Sequence, residues 1–192
     1  MISLPLVIVA GGKSSRMGSD KALLPFAHSK TLTQFQLDRF KNDFLSVHIS
    51  CKNKEKFDFQ AQFIEDDPVY PQSSPLVALM SILAHFQTPV ALLSVDTPFV
   101  TQEIFASLQA HLSQDYDAAV ARSSFGTHPL CAIYRPCIQT QIATMLKEDN
   151  HKIGNLLNTI STCYVDFDSD EPFFNLNYKS DYEKAQEQLK LL

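Results

Sequence analysis

Three basic side chains, Lys13, Arg16 and Lys21, crowd into nine residues immediately behind the pair Gly11-Gly12. An apolar run, Leu4 to Ala10, comes just before them and reads as a buried strand. Glycine leaves no Cβ between backbone N–H groups and a phosphate oxygen, so a strand that ends in this loop can wrap a polyphosphate. In that arrangement Gly11, Gly12 and Ser14 contact phosphate, and Lys13, Arg16 and Lys21 neutralise its charge, Lys21 being placed for the α-phosphate. Two better-known loops are excluded. A Walker A loop needs glycine five residues before its Gly-Lys, where this chain has Val7 inside the apolar run. The dinucleotide fingerprint fails because Lys13 stands where its second glycine belongs.

Two carboxylates follow strand-like segments. Asp96, in Ser94-Val95-Asp96-Thr97-Pro98, closes an apolar run and could hold a divalent cation beside a triphosphate. The plainer alternative is a turn that leads into the next helix. Asp66, in Ile64-Glu65-Asp66-Asp67, could accept from a base edge or from ribose hydroxyls, or belong to a solvated acidic turn. His128, before Pro129, reads as part of a stiff polar loop over Ser123–His128. Asn175 and Asn177 alternate on an extended segment and so would face one side. Asn150-His151-Lys152 closes a helix and either meets an anion or complements the helix dipole.

Seven strands are expected, at Leu4–Ala10, Ser46–Ser50, Gln62–Ile64, Val90–Ser94, Ala118–Ala121, Leu130–Tyr134 and Thr162–Val165. Helices are expected at Thr31–Lys41, Pro75–His85, Thr101–Leu112, Pro136–Glu148 and Ser180–Leu191, the last with Ser180 and Glu183 as a capping box. This alternation implies a mostly parallel sheet covered by helices on both faces, with ligands beyond the carboxyl ends of the strands. At 192 residues and 45% hydrophobic content the chain reads as a single domain, 1–192. A net charge of −5 disfavours a nucleic-acid partner. No apolar run is long enough for a membrane span, and Met1–Pro5 lacks the basic start of a signal peptide. Cys51, Cys131, Cys137 and Cys163 form no metal or redox spacing and read as reduced, mostly buried thiols of a cytoplasmic protein.

Ala10-Gly11-Gly12, Arg16-Met17-Gly18 and Asp20-Lys21 together match the pattern A-G-G-x-x-x-R-M-G-x-D-K. The chain thereby resembles the nucleotidyltransferases, and in particular the molybdenum cofactor guanylyltransferases, the MobA family. The resemblance implies a three-layer α/β/α Rossmann-like fold. It further implies transfer of GMP from GTP to the terminal phosphate of molybdenum-molybdopterin, with Mg²⁺ as cofactor and molybdoenzyme maturation proteins as partners. Carried onto this chain, Arg16, Lys21 and Asp96 would be catalytic. Ala10, Gly11, Gly12, Lys13, Ser14, Lys21, Asp66 and Asp96 would bind the nucleotide, and Asp96 the metal. His128, Asn175 and Asn177 would face the pterin acceptor. One segment departs from the family: Ser74 and Ala78 stand where Gly-Pro-Leu-Ala-Gly has its glycines, which predicts a narrower base pocket. The departure leaves open a related enzyme that uses CTP or a sugar or polyol phosphate. A weakly active maturation or binding factor of the same fold is the further alternative.

Overall fold

The computed structural model describes residues 1–12 and 18–190, without the side chain of residue 190. Its centre is a seven-stranded sheet. In chain order the strands are β1 (Ile2–Val9), β2 (Phe44–Cys51), β3 (Gln62–Glu65), β4 (Val90–Ser94), β5 (Ala118–Ser123), β6 (Gly126–Tyr134) and β7 (Thr162–Asp166). In space the order is β3-β2-β1-β4-β6-β5-β7. All neighbouring strands run parallel except β6, which is antiparallel to both β4 and β5.

The helices are α1 (Leu32–Phe40), α2 (Pro75–His85), α3 (Gln102–His111), α4 (Gln139–Lys147), α5 (Ile153–Leu157) and α6 (Lys179–Lys190). The strict period of two along the strands divides the interior. Leu6, Ile8, Ala91, Leu93 and Ala119 face a core shared with Phe35 of α1, Phe105 of α3 and Ala185 of α6. Val7, Val9, Val90, Leu92 and Val120 face a second core shared with Leu79 of α2, Ile142 of α4 and Leu156 of α5. Strands buried on both faces read as continuous apolar runs, as β1 and β4 do. The three-layer α/β/α architecture read from the sequence is the architecture observed.

Four local expectations are corrected. The polar loop expected at Ser123–His128 is a tight hairpin, in which Ser123 pairs with Gly126 and Gly126 takes φ 111°. His128 and Pro129 therefore lie inside β6, where the pairing steps from Val120–Ala132 to Ala121–His128. Pro129 falls in that bulge and needs no ladder donor. The helix expected from Pro136 begins as a 3-10 turn, Pro136–Ile138, and α5 is an additional element, so Asn150–Lys152 links two helices and does not end one. Finally, α6 starts at Lys179, which puts Ser180 inside the first turn. Asp181 takes over the capping, its carboxylate accepting from the N–H groups of Asn177 and Tyr178. Two of the four cysteines, Cys51 and Cys131, are buried, and all four are free thiols. Among the described residues no helix is long and apolar enough to cross a membrane.

One buried group carries a pH dependence. His48 sits in β2 against the rings of His85 and Phe86, with centroids 5.7 and 5.0 Å away. Its Nε2 meets Ser46 Oγ at 3.0 Å, while its Nδ1 is buried without a partner. Burial, aided by the nearby His85, pushes the imidazole down to about 4. Between that value and the ordinary 6.5 the unfolded chain binds the extra proton and the folded chain does not, so stability falls as pH drops through this window. Urea titrations from pH 7 to pH 4 should show His48→Leu losing about 2–3 kcal/mol less than the wild type over that range. Parallel losses in the two proteins would contradict this account of His48.

Candidate active site

Parallel pairing aligns the carboxyl ends of β1 and β4, with Val9 opposite Ser94 and Val95 N–H donating to Val9 C=O at 3.1 Å. The chain leaves β1 toward β2 on one side, while β4 lies on the other, so a crevice opens between the loops that follow β1 and β4. A cleft of about 350 Å³ fills it, lined by Gly11, Gly12, Lys21, Asp66, Ser74 and Asp96 among others. A second cleft of about 290 Å³ adjoins the first, with Pro75, Ser94, Asp96 and Leu130 common to both. The antiparallel β6 explains the second cleft. Because it runs opposite to β4, its opening residues reach this edge of the sheet and bring Thr127 to Cys131 to the wall.

Asp96 stands where the two clefts meet. Its Oδ2 accepts from Lys21 Nζ at 2.5 Å and its Oδ1 from Ser94 Oγ at 2.5 Å. Lys21 Nζ also donates to Leu176 C=O at 3.1 Å and to Asn177 Oδ1 at 3.5 Å. The Asp96 backbone C=O in turn accepts from Leu176 N–H at 2.9 Å. The segment before α6 is thus fastened to both the lysine and the carboxylate.

The glycine loop has matching supports. Gly11 packs beside β2, and a Cβ there would lie 3.9 Å from Cys51 Cα and Lys52 N. That is ordinary contact, so the glycine avoids no clash there. Asp20 caps the turn that carries Lys21 by accepting from Ala22 N–H at 3.0 Å. Lys56 donates both to Ala10 C=O at 3.0 Å and to Asp20 Oδ2 at 2.7 Å, so a single ammonium ties together the two stems of the loop. Lys13, Ser14 and Arg16, along with Ser15 and Met17 of the motif, lie outside the described residues.

Asp66, beyond β3, closes the first cleft on the side opposite Asp96. Its Oδ1 is buried and unpartnered, and burial raises its pKa against the opposing pull of Lys52. His128 and Asn175 line the second cleft. The His128 ring is stacked on the buried Phe173 at 4.1 Å with 7° between the planes, and Nε2 meets Ser123 Oγ at 2.9 Å. Burial pushes this imidazole down, toward its neutral form. Asn175 and Asn177 do not share a side. Asn177 N–H bonds back to Asn175 C=O at 3.0 Å, so the segment turns, and Asn177 faces Lys21. Ser74 lines the first cleft, but Ala78 is buried in the core behind α2, so one side chain and not two narrows the pocket.

Sequence reading missed three supports. Lys56 is one. Gln36 and Arg39 of α1 are the others, gripping the loop that carries Asp96 from below. Gln36 Nε2 donates to Thr97 C=O at 3.0 Å, Arg39 Nη1 to Pro98 C=O, and Nη2 to Val100 C=O at 2.9 Å. The one available signal was the placement of Gln36 and Arg39 among apolar residues of a helix; their partners lie about 60 residues on, as in the 61-residue separation of Gln36 and Thr97.

The donor set also tests the fit of a metal. Among the described residues no group of three or more His, Cys, Asp or Glu side chains could hold an ion. One carboxylate with an adjacent hydroxyl suits a hard cation that keeps water and takes its remaining oxygens from phosphates, which is the habit of Mg²⁺. It does not suit a closed structural site.

Residues 6–162 match the MobA-like NTP transferase domain. A molybdenum cofactor guanylyltransferase from Campylobacter jejuni strain RM1221 is 38% identical over 97% of each chain. Among solved structures, molybdopterin-guanine dinucleotide biosynthesis protein A from Archaeoglobus fulgidus superimposes with a TM-score of 0.85 at 20% identity, over 98% of this chain and all of that one. A Mycobacterium tuberculosis protein solved in complex with manganese superimposes at 0.67 and 16% identity, over 97% of this chain and 98% of that one. With a glycine loop, a lysine and a strand-end carboxylate meeting at one crevice, the chain belongs to the MobA-like NTP transferase family and is a nucleotidyltransferase.

Proposed function

We propose that the chain transfers GMP from GTP to the terminal phosphate of molybdopterin carrying molybdenum, releasing pyrophosphate. The observation that carries this reading is the pair of adjoining clefts with Asp96 at their junction. The Campylobacter relative's name, molybdenum cofactor guanylyltransferase, supports guanine as the base and the molybdenum cofactor as the acceptor. In this reading the triphosphate lies over Gly11 and Gly12, its nucleoside reaches toward Asp66, and the acceptor enters past His128 and Asn175.

A phosphate monoester is ionised near neutral pH, so its oxygen attacks the α-phosphorus without a general base. One P–O bond forms as the bond to the β-phosphate oxygen breaks, and pyrophosphate carries away the charge. What the protein must supply is alignment of two polyanions and stabilisation of charge at the α-phosphate. Lys21 would perform the second task; its bonds to Asp96 and to Leu176 C=O at the cleft junction support this. Lys13 and Arg16 extend the cationic loop. Asp96 would hold Mg²⁺ together with phosphate oxygens, and the ion would screen the repulsion between donor and acceptor. Asp66 offers its unpartnered oxygen to N–H donors of guanine. The neutral, stacked His128 gives the acceptor cleft a rigid, uncharged wall.

Thermal melting with GTP, CTP, ATP or UTP plus Mg²⁺ tests the base. At 100 times its Kd, GTP should raise Tm by about 5–10 °C, the others much less. Selective stabilisation by CTP would overturn the guanine assignment. Lys21→Ala and Asp96→Ala should each lower the rate of guanylyl transfer by about 10²–10³. Wild-type turnover in both would remove them from the mechanism. Lys56→Met should weaken GTP binding by roughly tenfold, with Lys56→Arg closer to wild type, if the tie between the loop stems positions the phosphates.

A further inference from the structure

The loop between β4 and α3 carries Asp96, and two side chains of α1 hold its carbonyls. Gln36 Nε2 donates to Thr97 C=O at 3.0 Å and, more distantly, to Val95 C=O at 3.5 Å. Arg39 Nη1 donates to Pro98 C=O, and Nη2 to Val100 C=O at 2.9 Å. The two side chains also meet each other, with Arg39 Nη1 donating to Gln36 Oε1 at 3.0 Å. They stand three residues apart on the helix and so share a face. A guanidinium can only donate, so it takes the amide oxygen and leaves Nε2 for the loop carbonyls, which can only accept. No bond in this brace has a choice of direction.

What the brace fixes is the aim of Asp96. Peptide units are planar, so the φ and ψ of Asp96 alone relate its Cα–Cβ bond to the two planes that flank it. The plane before it is held through Val95 C=O to Gln36. The plane after it is held through Asp96 C=O to Leu176 N–H at 2.9 Å and through Thr97 N–H to Ser94 C=O at 3.3 Å. The carboxylate keeps only its own side-chain torsions, and Lys21 and Ser94 engage those. The brace is costly to build: Gln36 is fully buried, and burial draws the Arg39 guanidinium down from its ordinary value. The same device occurs once where no cleft is near. Arg135 donates to Tyr116 C=O at 2.9 Å and to Ser113 C=O at 3.2 Å, on the loop that leads into the amino end of β5. Because β6 is antiparallel to both β4 and β5, that end lies at the sheet edge opposite Asp96.

We propose that Gln36 and Arg39 are positioning residues for nucleotidyl transfer: through the backbone of the 95–100 loop they hold the Asp96 carboxylate ready for a divalent cation that arrives with the nucleotide. Neither side chain touches the ligand; each acts through the loop. Metal ligands depend on the groups that orient them, and losing such a group commonly weakens metal binding by about 10- to 100-fold. This inference rests on the reading of Asp96 as the metal carboxylate given above.

Calorimetric titration with GTP, once in Mg²⁺ and once in EDTA, gives the metal-dependent gain in GTP affinity for each protein. Arg39→Lys keeps the charge, but a compact ammonium does not span Pro98, Val100 and Gln36 as the planar fork does. Gln36→Met keeps the length and removes the donor. Each should lower the gain about tenfold and leave the Kd in EDTA near that of the wild type. Arg135→Lys, the control, should lower Tm and leave the gain unchanged. If the brace only supports the fold, Arg39→Lys and Gln36→Met will behave as Arg135→Lys does, with a lower Tm and an unchanged gain, and the inference falls. If Gln36→Met does not melt cooperatively, Arg39→Lys carries the test alone. A wild-type protein whose GTP affinity is the same in Mg²⁺ and in EDTA would instead overturn the metal reading of Asp96, and this inference with it.

Discussion

The parallel pairing of β1 with β4 is the constraint on which the site depends. It places the residue after Val9 and the residue after Ser94 at the same height on the sheet edge. The loop from β1 carries Gly11, Gly12 and, beyond them, Lys21, and the loop from β4 carries Asp96. Neither loop alone could build the phosphate and metal site proposed above. Burial enforces the register: a one-residue slip would turn Leu6 and Ile8 toward the wrong core and Val7 and Val9 with them.

Around that edge the protein spends its buried polar groups on loop geometry. Gln36 and Arg39 cross from α1 to hold the Asp96 loop, and burial pulls the Arg39 guanidinium down from its ordinary value against the favourable charge of Asp43. Lys56 joins the stems of the glycine loop. Leu176 and Asn177 secure Lys21. These contacts fix positions before any ligand arrives, and preorganisation is where electrostatic catalysis gains most. The buried thiols play no such part. Burial lifts Cys51 to about 11 and Cys131 higher still, so both stay protonated and unreactive beside the clefts.

The two clefts differ in kind. The first combines glycines, Lys21 and the carboxylates of Asp20, Asp66 and Asp96; the second is walled by Pro75, Leu130, Ile153 and Phe173, with His128 and Asn175 among its polar points. Under the proposed function the charged triphosphate takes the first and the heterocyclic acceptor the second, with Asp96 and Ser94 at the junction common to both.

The sequence by itself determined the layer architecture, the glycine loop and the strand-end carboxylate, because these depend on local rules. A period of two makes a strand, two glycines after it open a loop, and an Asp at a strand end lies at the sheet edge. The same local rules misread the Ser123–His128 hairpin, the turn between Asn175 and Asn177 and the start of α6. A bulge in pairing shaped the first, a bond from Asn177 N–H back to Asn175 C=O broke the alternation of the second, and the Asp181 carboxylate displaced Ser180 as the cap of the third. Only the tertiary structure decided that Lys21 and Asp96, 75 residues apart, share a hydrogen bond, that Lys56 ties the loop, and that Ser74 meets His151. Such partners lie on different elements, and nothing in the spacing of one segment records which other segment the sheet will bring beside it.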